Sequence, residues 1–317
     1  MAVVGCGAIG THIADLLARA GAGRLVLIDR DVVELHNLQR QTLFSEAMAK
    51  AGLPKAEAAS GALAEVNSEV LLDPRAADLT AWNAASLLAG VNVIMDATDN
   101  LQTRYLLNDY AVKHGVPWVY AACIGWEARL MAVDPLRGPC LRCVFEESPD
   151  PGELPTCETA GVIGPAAGLV GAWAASLGLQ LLVGDAVRTG LLMVDLRRLE
   201  SRTVRVDRRA DCPCCGQRRF AYLEGGRSEA VVSLCGQGAM QVAPGEGGSS
   251  LDLAAFAERL AGRVGALEAG RFRVRFDVAG PGDEALSISV FADGRAIVQG
   301  CTDAAVARTV YDRWVGS

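Results

Sequence analysis

Residues 3–10 read Val3-Val4-Gly5-Cys6-Gly7-Ala8-Ile9-Gly10, and THIADLLARA follows at 11–20. A short apolar strand, a Gly-x-Gly-x-x-Gly turn and a segment with helical apolar spacing are the start of a β-α-β unit. Asp29 follows the next apolar strand, Leu25–Ile28. This order predicts a nucleotide-binding α/β domain. Its glycines admit phosphate to a helix N-terminus, and Asp29 takes the ribose hydroxyls.

The alternation of strands and helices continues through the first half of the chain. Helices are predicted at about 55–65 and 101–114, and strands at Val91–Met95 and Trp118–Ala122. Alternating units of this length predict a Rossmann-like, doubly wound parallel sheet with right-handed crossovers.

The length of 317 residues favours two domains. We expect a nucleotide-binding domain at 1–222 and a small α+β domain at 223–317, with a linker-like stretch at 244–250. Within the second domain the pattern predicts helices at 251–264 and 303–314, a strand at 271–278 and a hairpin over 287–299.

The composition excludes several classes of protein. Hydrophobic residues make up 51% of the chain, charged residues 21%, and the net charge is −7. These values are typical of a globular protein, and the acidic balance argues against a general nucleic-acid binder. The N-terminus shows neither the basic segment nor the cleavage site that a secretory signal has, so we expect a cytoplasmic protein. The uncharged stretch 160–184 is interpreted as a buried helix, with a membrane span as the alternative.

Cationic side chains follow the Asp29 strand. Arg40 and Lys55 suit a triphosphate, and Lys55 is one of only three lysines in the chain. A dinucleotide would not need them, since its pyrophosphate is satisfied by the glycine turn. The alternative is that both are solvated surface charges.

A carboxylate pair follows the strand at 91–95, in the run Asp96-Ala97-Thr98-Asp99-Asn100. Ligands of open α/β sheets bind beyond the carboxyl ends of the strands, where a carboxylate can hold Mg²⁺ on phosphate oxygens. Asp99 is the predicted magnesium ligand. Alternatively, it caps the helix that begins near Leu101.

Two Cys-x-x-Cys pairs, Cys140/Cys143 and Cys212/Cys215, fit a tetrahedral zinc site that joins two distant segments. A redox pair or the absence of metal are the alternatives. Cys214 is interpreted as a bystander. The arginines around the second pair, from Arg205 to Arg219, predict a solvated, salt-bridged face.

These motifs, in this order, resemble the ThiF/MoeB/HesA adenylyltransferases, relatives of the ubiquitin-activating enzymes. The resemblance covers about residues 1–222. It also includes the run Cys157-Glu-Thr-Ala-Gly-Val-Ile-Gly-Pro165. It implies that the C-terminal glycine of a ubiquitin-like sulfur carrier attacks the α-phosphate of MgATP, which gives an acyl-adenylate and pyrophosphate. The pathway would be thiamine, molybdopterin or thiolated-tRNA synthesis.

The resemblance also implies roles for individual residues. Gly5, Gly7, Ala8 and Gly10 would contact ATP and Asp29 its ribose. The set facing the phosphates would be Asn37, Arg40, Gln41 and Lys55, while Asp99 would bind Mg²⁺ with help from Asn100. Of these, Asp99, Arg40 and Lys55 would be catalytic. Cys157 is a candidate nucleophile for a later sulfur transfer, with a packed cysteine as the alternative.

Two departures from the family pattern bear on the expected activity. Members usually carry an N-terminal segment that supplies an arginine to the partner subunit's ATP site, whereas Met1 here falls inside the first strand. We therefore expect either a truncated start or an incomplete site in a homodimer. No rhodanese-like module is evident, so sulfur would come from a separate donor protein. The alternatives to an adenylyltransferase are an NAD-dependent oxidoreductase and a non-catalytic nucleotide-binding scaffold.

Overall fold

The computed structural model describes residues 1–148, 160–187, 189–224, 231–234, 238–243, 251–280 and 284–316. The chain forms two compact units, an N-terminal unit at Met1–Arg227 and a C-terminal unit at Ser228–Ser317. The candidate nucleophile Cys157 and the linker-like stretch 244–250 lie outside the described residues.

The N-terminal unit is built on an eight-stranded sheet with the order β3-β2-β1-β4-β5-β6-β7-β8. The strands are β1 Ala2–Val4, β2 Arg24–Ile28, β3 Leu71–Arg75, β4 Ile94–Asp96, β5 Trp118–Ile124, β6 Glu127–Val133, β7 Leu191–Asp195 and β8 Glu200–Val204. The first five strands in this order, β3, β2, β1, β4 and β5, are parallel to one another. Strands β6, β7 and β8 extend the sheet with antiparallel pairing.

Helices cover both faces of this sheet. They are α1 Ala8–Arg19, α2 Glu46–Lys50, α3 Lys55–Ala64, α4 Ala84–Leu87, α5 Leu101–His114, α6 Gly164–Leu182 and α7 Ala221–Glu224. Side chains of α1, α3 and α6 form one apolar core and those of α4 and α5 another. In β1 the alternation of a strand sends Val3 to the first core and Ala2 and Val4 to the second. This is the predicted α/β fold, doubly wound about β1.

The topology places a switch point between β1 and β4. The chain runs outward through β1, β2 and β3, then returns to β4 on the other side of β1. In such sheets, ligands bind beyond the carboxyl ends of the two strands where the order reverses. The segments that follow β1 and β4 begin at Gly5 and Ala97, so the predicted nucleotide site lies at the switch point.

The apolar stretch 160–184 forms α6, which packs on α1 and the sheet. Its buried face is rich in small residues, and Gly171 lies against α1 so closely that a Cβ there would be 2.7 Å from the His12 Cβ. By length and composition alone, α6 is the one described helix that could cross a membrane, and 44% of its most apolar window is buried. The contact with α1 accounts for that buried face.

The C-terminal unit contains a six-stranded antiparallel sheet with the order β11-β12-β13-β14-β10-β9. Its elements are β9 Val231–Leu234, β10 Ala239–Val242, α8 Leu253–Leu260, β11 Leu267–Ala269, β12 Arg273–Ala279, β13 Ala285–Phe291, β14 Ala296–Gln299 and α9 Ala304–Trp314. Both helices pack on one face of the sheet, where Phe256 and Tyr311 join the strand residues Phe276 and Ile288 in one core.

Several local features differ from the sequence prediction, among them the helix predicted at 251–264, which spans Leu253–Leu260. Helix α1 begins at Ala8 rather than at residue 11, so its first turn is part of the glycine motif. Strand β4 starts at Ile94, three residues later than predicted. Strand β3 was not predicted because its sequence, LLDPR, contains a proline, which is tolerated here at the edge of the sheet.

Candidate functional site

The glycine turn brings the N-terminus of α1 against the segment that follows β4. Gly5 has φ +89°, and a Cβ there would lie 2.7 Å from the Ala97 carbonyl oxygen. A Cβ on Gly10 would lie 1.8 Å from the Gly5 carbonyl oxygen. Helix α1 has neither a side-chain N-cap nor an acidic residue in its first turn. Its N-terminal amides can therefore accept an anion, as the motif predicted.

Asp29 closes the turn from the β2 side. It is 8% exposed, and its carboxylate accepts the Cys6 amide at 2.6 Å and the Asp31 amide at 2.7 Å. Burial raises the pKa of Asp29 to about 6, with the charge of Lys55 opposing the shift. This places a carboxylate at the position where Rossmann-like folds bind a ribose.

Lys55 begins α3 and reaches across to the segment after β2. Its ammonium lies 2.9 Å from Asp31 Oδ2, and the residue is 6% exposed. Burial lowers the pKa of Lys55, but the charges of Asp31, Asp29 and Asp99 outweigh it and leave the pKa raised. Lys55 is therefore a fixed cation within the site, and the surface-charge alternative is wrong for this residue.

The polar run after β2 forms a short 3-10 turn, Leu35–Asn37. This turn positions the second cation of the site, Arg40. Asn37 is buried, and its Oδ1 accepts a 2.9 Å hydrogen bond from Arg40 Nη2. Gln41 is buried too. Its Oε1 has no hydrogen-bond partner among the described residues, and its Nε2 lies 3.9 Å from the Cβ position of Gly7. An unsatisfied buried amide beside the glycine turn suits a polar ligand.

The segment after β4 presents one exposed carboxylate between two held residues. Asp96 is fully buried, and its Oδ1 accepts the Thr98 amide at 2.9 Å and the Thr98 hydroxyl at 2.7 Å. Asn100 caps α5 by accepting the Gln102 amide at 2.8 Å. The capping alternative for Asp99 is therefore wrong, because Asn100 fills that position.

Asp99 is exposed and accepts no hydrogen bond from any described residue. Its charge helps to raise the pKa values of Lys55 and Arg30. The three segments after β1, β2 and β4 thus converge at one edge of the sheet. A carboxylate near the expected phosphates is the donor that Mg²⁺ prefers, so Asp99 fits that ion.

The two Cys-x-x-Cys pairs meet under α5. Sulfur–sulfur distances are 3.6 Å for Cys140–Cys212 and 3.4 Å for Cys143–Cys215, and all four sulfurs lie within 4.8 Å of one another. Tetrahedral zinc with bonds of about 2.3 Å needs sulfurs roughly 3.8 Å apart. The four buried thiols therefore fit a structural zinc ion.

Cys214 lies beside this cluster but is not one of its four cysteines. Its Sγ accepts a 3.3 Å hydrogen bond from Asn108 Nδ2, while Asn108 Oδ1 accepts the Leu141 amide at 2.8 Å. Asn108, on α5, thus joins the segments that carry both cysteine pairs. Cys214 is no member of the cluster, as predicted, but it is a buried structural contact.

Two arginines of the basic stretch around the second pair form salt bridges. Arg205 lies 3.1 Å from Asp207, and Arg209 lies 2.8 Å from Glu146 and 3.1 Å from Asp211. These contacts bear out the predicted salt-bridged face at Arg205 and Arg209, whereas Arg208 donates to the backbone carbonyls of Pro135 and Cys215.

Sequence reasoning missed two ion pairs at the site. Asp31 pairs with Lys55, and Arg104 pairs with Asp96 at 3.5 Å. The run Asp29-Arg30-Asp31 carried a signal for the first, since it places a second acid beside the strand end. No spacing rule pointed to the second pair, because its partners lie on different elements.

The chain is similar in sequence to one protein family and to several characterised proteins. The model of the ThiF family matches residues 1–214. The chain is 36% identical over 316 residues to the sulfur carrier protein ThiS adenylyltransferase of Bacillus subtilis (strain 168), covering 99% of this chain and 92% of that protein. It is 40% identical over 217 residues to the SAMP-activating enzyme E1 of Haloferax volcanii, covering 68% and 79%.

Among solved structures, E. coli MccB with ATP has a similar fold. The TM-score is 0.60 at 21% identity, and the match covers 68% of this chain and 66% of that chain. At this identity the likeness concerns the fold alone.

Proposed function

Because the chain belongs to the ThiF family, we propose that it is an ATP-dependent adenylyltransferase that activates the C-terminal glycine of a ubiquitin-like sulfur carrier. The observation that carries the proposal is the convergence of the glycine turn, Asp29, Lys55 and Asp99 at the switch point of the sheet. The similarity to a ThiS adenylyltransferase over nearly the whole chain favours a ThiS-like carrier as the substrate.

Each group at the site has a task in holding ATP. The amides of the glycine turn, including those of Gly7, Ala8 and Gly10, face a phosphate. Asp29 accepts hydrogen bonds from the ribose hydroxyls, as an acid after the second strand does in this kind of fold.

The remaining polar groups act on the phosphates. Lys55 and Arg40 neutralise the charge that develops on the leaving pyrophosphate, and Asn37 holds Arg40 in place through the bond to Nη2. Gln41 supplies a further polar contact. Asp99 holds Mg²⁺, with Asn100 beside it, and the ion when bound supplies positive charge to the phosphate oxygens.

The reaction needs no general base. A carboxylate oxygen of the carrier's last glycine forms a bond to the α-phosphorus, the bond from that phosphorus to the bridging oxygen breaks, and pyrophosphate leaves with the electron pair. Because a carboxylate is already a nucleophile, catalysis consists of alignment and charge neutralisation. The residues assigned to the site supply cations and amide donors, and none of those residues is a histidine.

We further propose where the protein acts, how it assembles and which protein supplies the sulfur. The protein acts in the cytoplasm as a homodimer, with zinc held by the four-cysteine cluster. Sulfur comes from a separate donor protein. Cys157 acts after adenylylation, so Cys157→Ala is expected to leave the activation step intact and to impair only the transfer of sulfur to the carrier.

ATP–pyrophosphate exchange with a panel of carriers ending in Gly-Gly tests the function. We expect exchange with one carrier, strongest for a ThiS-like protein, and its loss in Asp99→Ala. Asp15→Ala is the matched control, since Asp15 is a partly exposed partner of Arg19, about two turns along α1 from the glycine motif. Exchange with no carrier would contradict the proposal. Fluorescence titration with NADH in the same experiment would reveal an oxidoreductase by its binding.

A further inference from the structure

One buried arginine holds the segment that presents Asp99. Arg104 lies in the first turn of α5 and is buried. Its Nη2 donates to the Thr98 carbonyl, and its Nε lies 3.5 Å from Asp96 Oδ2. Its guanidinium also lies over the ring of Tyr120, 5.2 Å from the centroid. None of the roles assigned above uses this side chain.

Thr98 is consequently fixed from two directions. Asp96 accepts its amide and its hydroxyl, while Arg104 donates to its carbonyl. The preceding residue is fixed as well, because the Ala97 amide donates to the Val4 carbonyl at 2.8 Å and the Ala97 carbonyl lies against Gly5. The segment therefore has one position relative to the glycine turn.

Asp99 itself has no comparable support. Its side chain accepts no hydrogen bond from the described residues, so the residues on either side set its position. Asn100 anchors the following side by capping α5, and Thr98 anchors the preceding side. Loss of an outer group that orients a metal ligand typically lowers metal affinity by about 10- to 100-fold.

We propose that Arg104 is a positioning residue for Asp99: by binding the Thr98 carbonyl while paired with Asp96, it fixes the carboxylate where it can bind the Mg²⁺ of MgATP. The inference rests on the proposed function, because MgATP is the ligand. The competing explanation is a purely structural role, in which Arg104 only compensates the buried charge of Asp96 and thereby stabilises the fold.

Calorimetric titration of the full-length protein with ATP, with and without Mg²⁺, distinguishes the two explanations. Arg104→Lys keeps the charge beside Asp96 but loses the planar fork that reaches both acceptors. We expect the gain in ATP affinity that Mg²⁺ provides to fall by about 10-fold or more. Affinity in EDTA should be unchanged. Arg19→Lys, at an exposed pair with Asp15, should change neither value.

A double-mutant cycle shows whether Arg104 acts through Asp99. In the Asp99→Asn background, Arg104→Lys should have no further effect on the Mg²⁺-dependent gain, because the group that it positions is gone. An additive loss, or an equal loss with and without Mg²⁺, would overturn the inference. Arg104→Gln, which retains donors to Thr98 without the charge, provides a second variant should the lysine variant fold poorly, and it should lose less of the gain than Arg104→Ala.

The titrations separate failure of this inference from failure of the proposed function. If the wild-type protein binds MgATP but exchanges pyrophosphate with no carrier, the proposed function is contradicted, whereas the Arg104 test can still be carried out. Wild-type protein that binds no ATP contradicts both.

Discussion

Asp29 follows strand β2 and Asp73 lies in the neighbouring strand β3, yet their surroundings shift their pKa values in opposite directions. Asp29 is buried behind the glycine turn, and burial raises its pKa to about 6. Asp73, in β3, accepts hydrogen bonds from Arg75 and Arg24, and these donors lower its pKa. One carboxylate therefore resists ionisation in the fold, while the other favours it.

The first prediction follows from the pKa of Asp29. An unfolded aspartate titrates near 3.9, so between about pH 4 and pH 6 the native state holds a proton that the unfolded state has lost. The contribution of Asp29 to the free energy of unfolding should fall as pH rises through this window, by about 3 kcal/mol at most. Urea unfolding of wild type and Asp29→Asn at pH 4 to 7 measures it as the difference between the two proteins.

Asp73→Asn is the control for this experiment. Because the pKa of Asp73 is lowered, its stabilisation is complete above the unfolded value and is lost only as pH falls below it. The wild-type minus Asp73→Asn difference should be flat above pH 5. A difference for Asp29 that rose with pH would show that its carboxylate is stabilised in the fold rather than destabilised.

Individual site residues were predictable where a local pattern carried the chemistry. The glycine spacing and the acid after the second strand indicated Asp29, and the scarcity of lysine drew attention to Lys55. The partners of these residues were harder to predict. Asp31 meets Lys55 across 24 positions, and Arg104 binds a backbone carbonyl, which has no sequence signature.

At the scale of elements, the contact between α1 and α6 depends on glycine. A Cβ on Gly171 would lie 2.7 Å from the His12 Cβ and 3.2 Å from the Ile9 carbonyl oxygen, and neither is the flexible end of a side chain. The imidazole of His12 is half-buried here, and burial lowers its pKa. Small residues on α6 thus set how closely the two helices approach.

We therefore predict that Gly171→Ala destabilises the N-terminal unit. The added methyl group forces the helices apart, and overpacking of this kind costs about 1–3 kcal/mol. Thermal or urea unfolding of the full-length protein measures the change. ATP affinity should also decrease, because α1 carries the glycine turn at its N-terminus.

Gly61→Ala is the matched control. Gly61 is exposed within α3, and nothing lies within 4 Å of its Cβ position. The alanine should stabilise the helix by up to about 1 kcal/mol, since glycine is a poor helix former. If both substitutions stabilised the protein alike, close packing at Gly171 would be excluded.

Among the elements, those with strong periodicity were predicted and those that depend on pairing were not. Helix α5 was predicted at its observed bounds, because Asn100 and Gly115 mark its two ends. The antiparallel extension β6 to β8 was not foreseen as part of the same sheet, since β-α alternation indicates only the parallel strands. Strands β9, β10 and β11 are short and gain their identity from partners in the sheet.

At the scale of the whole molecule, the cysteine cluster joins segments that are 72 residues apart in sequence. We predict about one zinc ion per chain and its loss in Cys212→Ser. Zinc that is present at about 1,000-fold its dissociation constant would stabilise the native state by about 4 kcal/mol. Elemental analysis and unfolding with and without a chelator provide the two measurements.

Cys214→Ser tests whether the loss of zinc is specific to the four cysteines of the cluster. Cys214 is as buried as its neighbours, but it lies outside the four-cysteine cluster and accepts a hydrogen bond from Asn108. It should retain the ion while losing some stability. Loss of zinc in Cys214→Ser with retention in Cys212→Ser would contradict the assignment of the four ligands.

The two compact units lead to a last prediction. Residues 1–214 match the family model, and every residue assigned to the nucleotide site lies in the N-terminal unit, as do the four cysteines of the cluster. This unit also has its own apolar cores on both faces of its sheet. A domain with a complete core is expected to fold alone. A chain ending at residue 227 should therefore retain zinc, bind MgATP and support exchange with the carrier that the full-length protein prefers.

The size of any defect in the shortened chain decides what the C-terminal unit contributes. A comparable exchange rate places the unit outside the activation step. A fall of more than about tenfold, equivalent to roughly 1.4 kcal/mol of transition-state stabilisation, would contradict the prediction and assign the unit a part in activation. Comparison at saturating and limiting carrier then locates that part, since a defect confined to limiting carrier concerns binding, whereas one that persists at saturation concerns the chemical step.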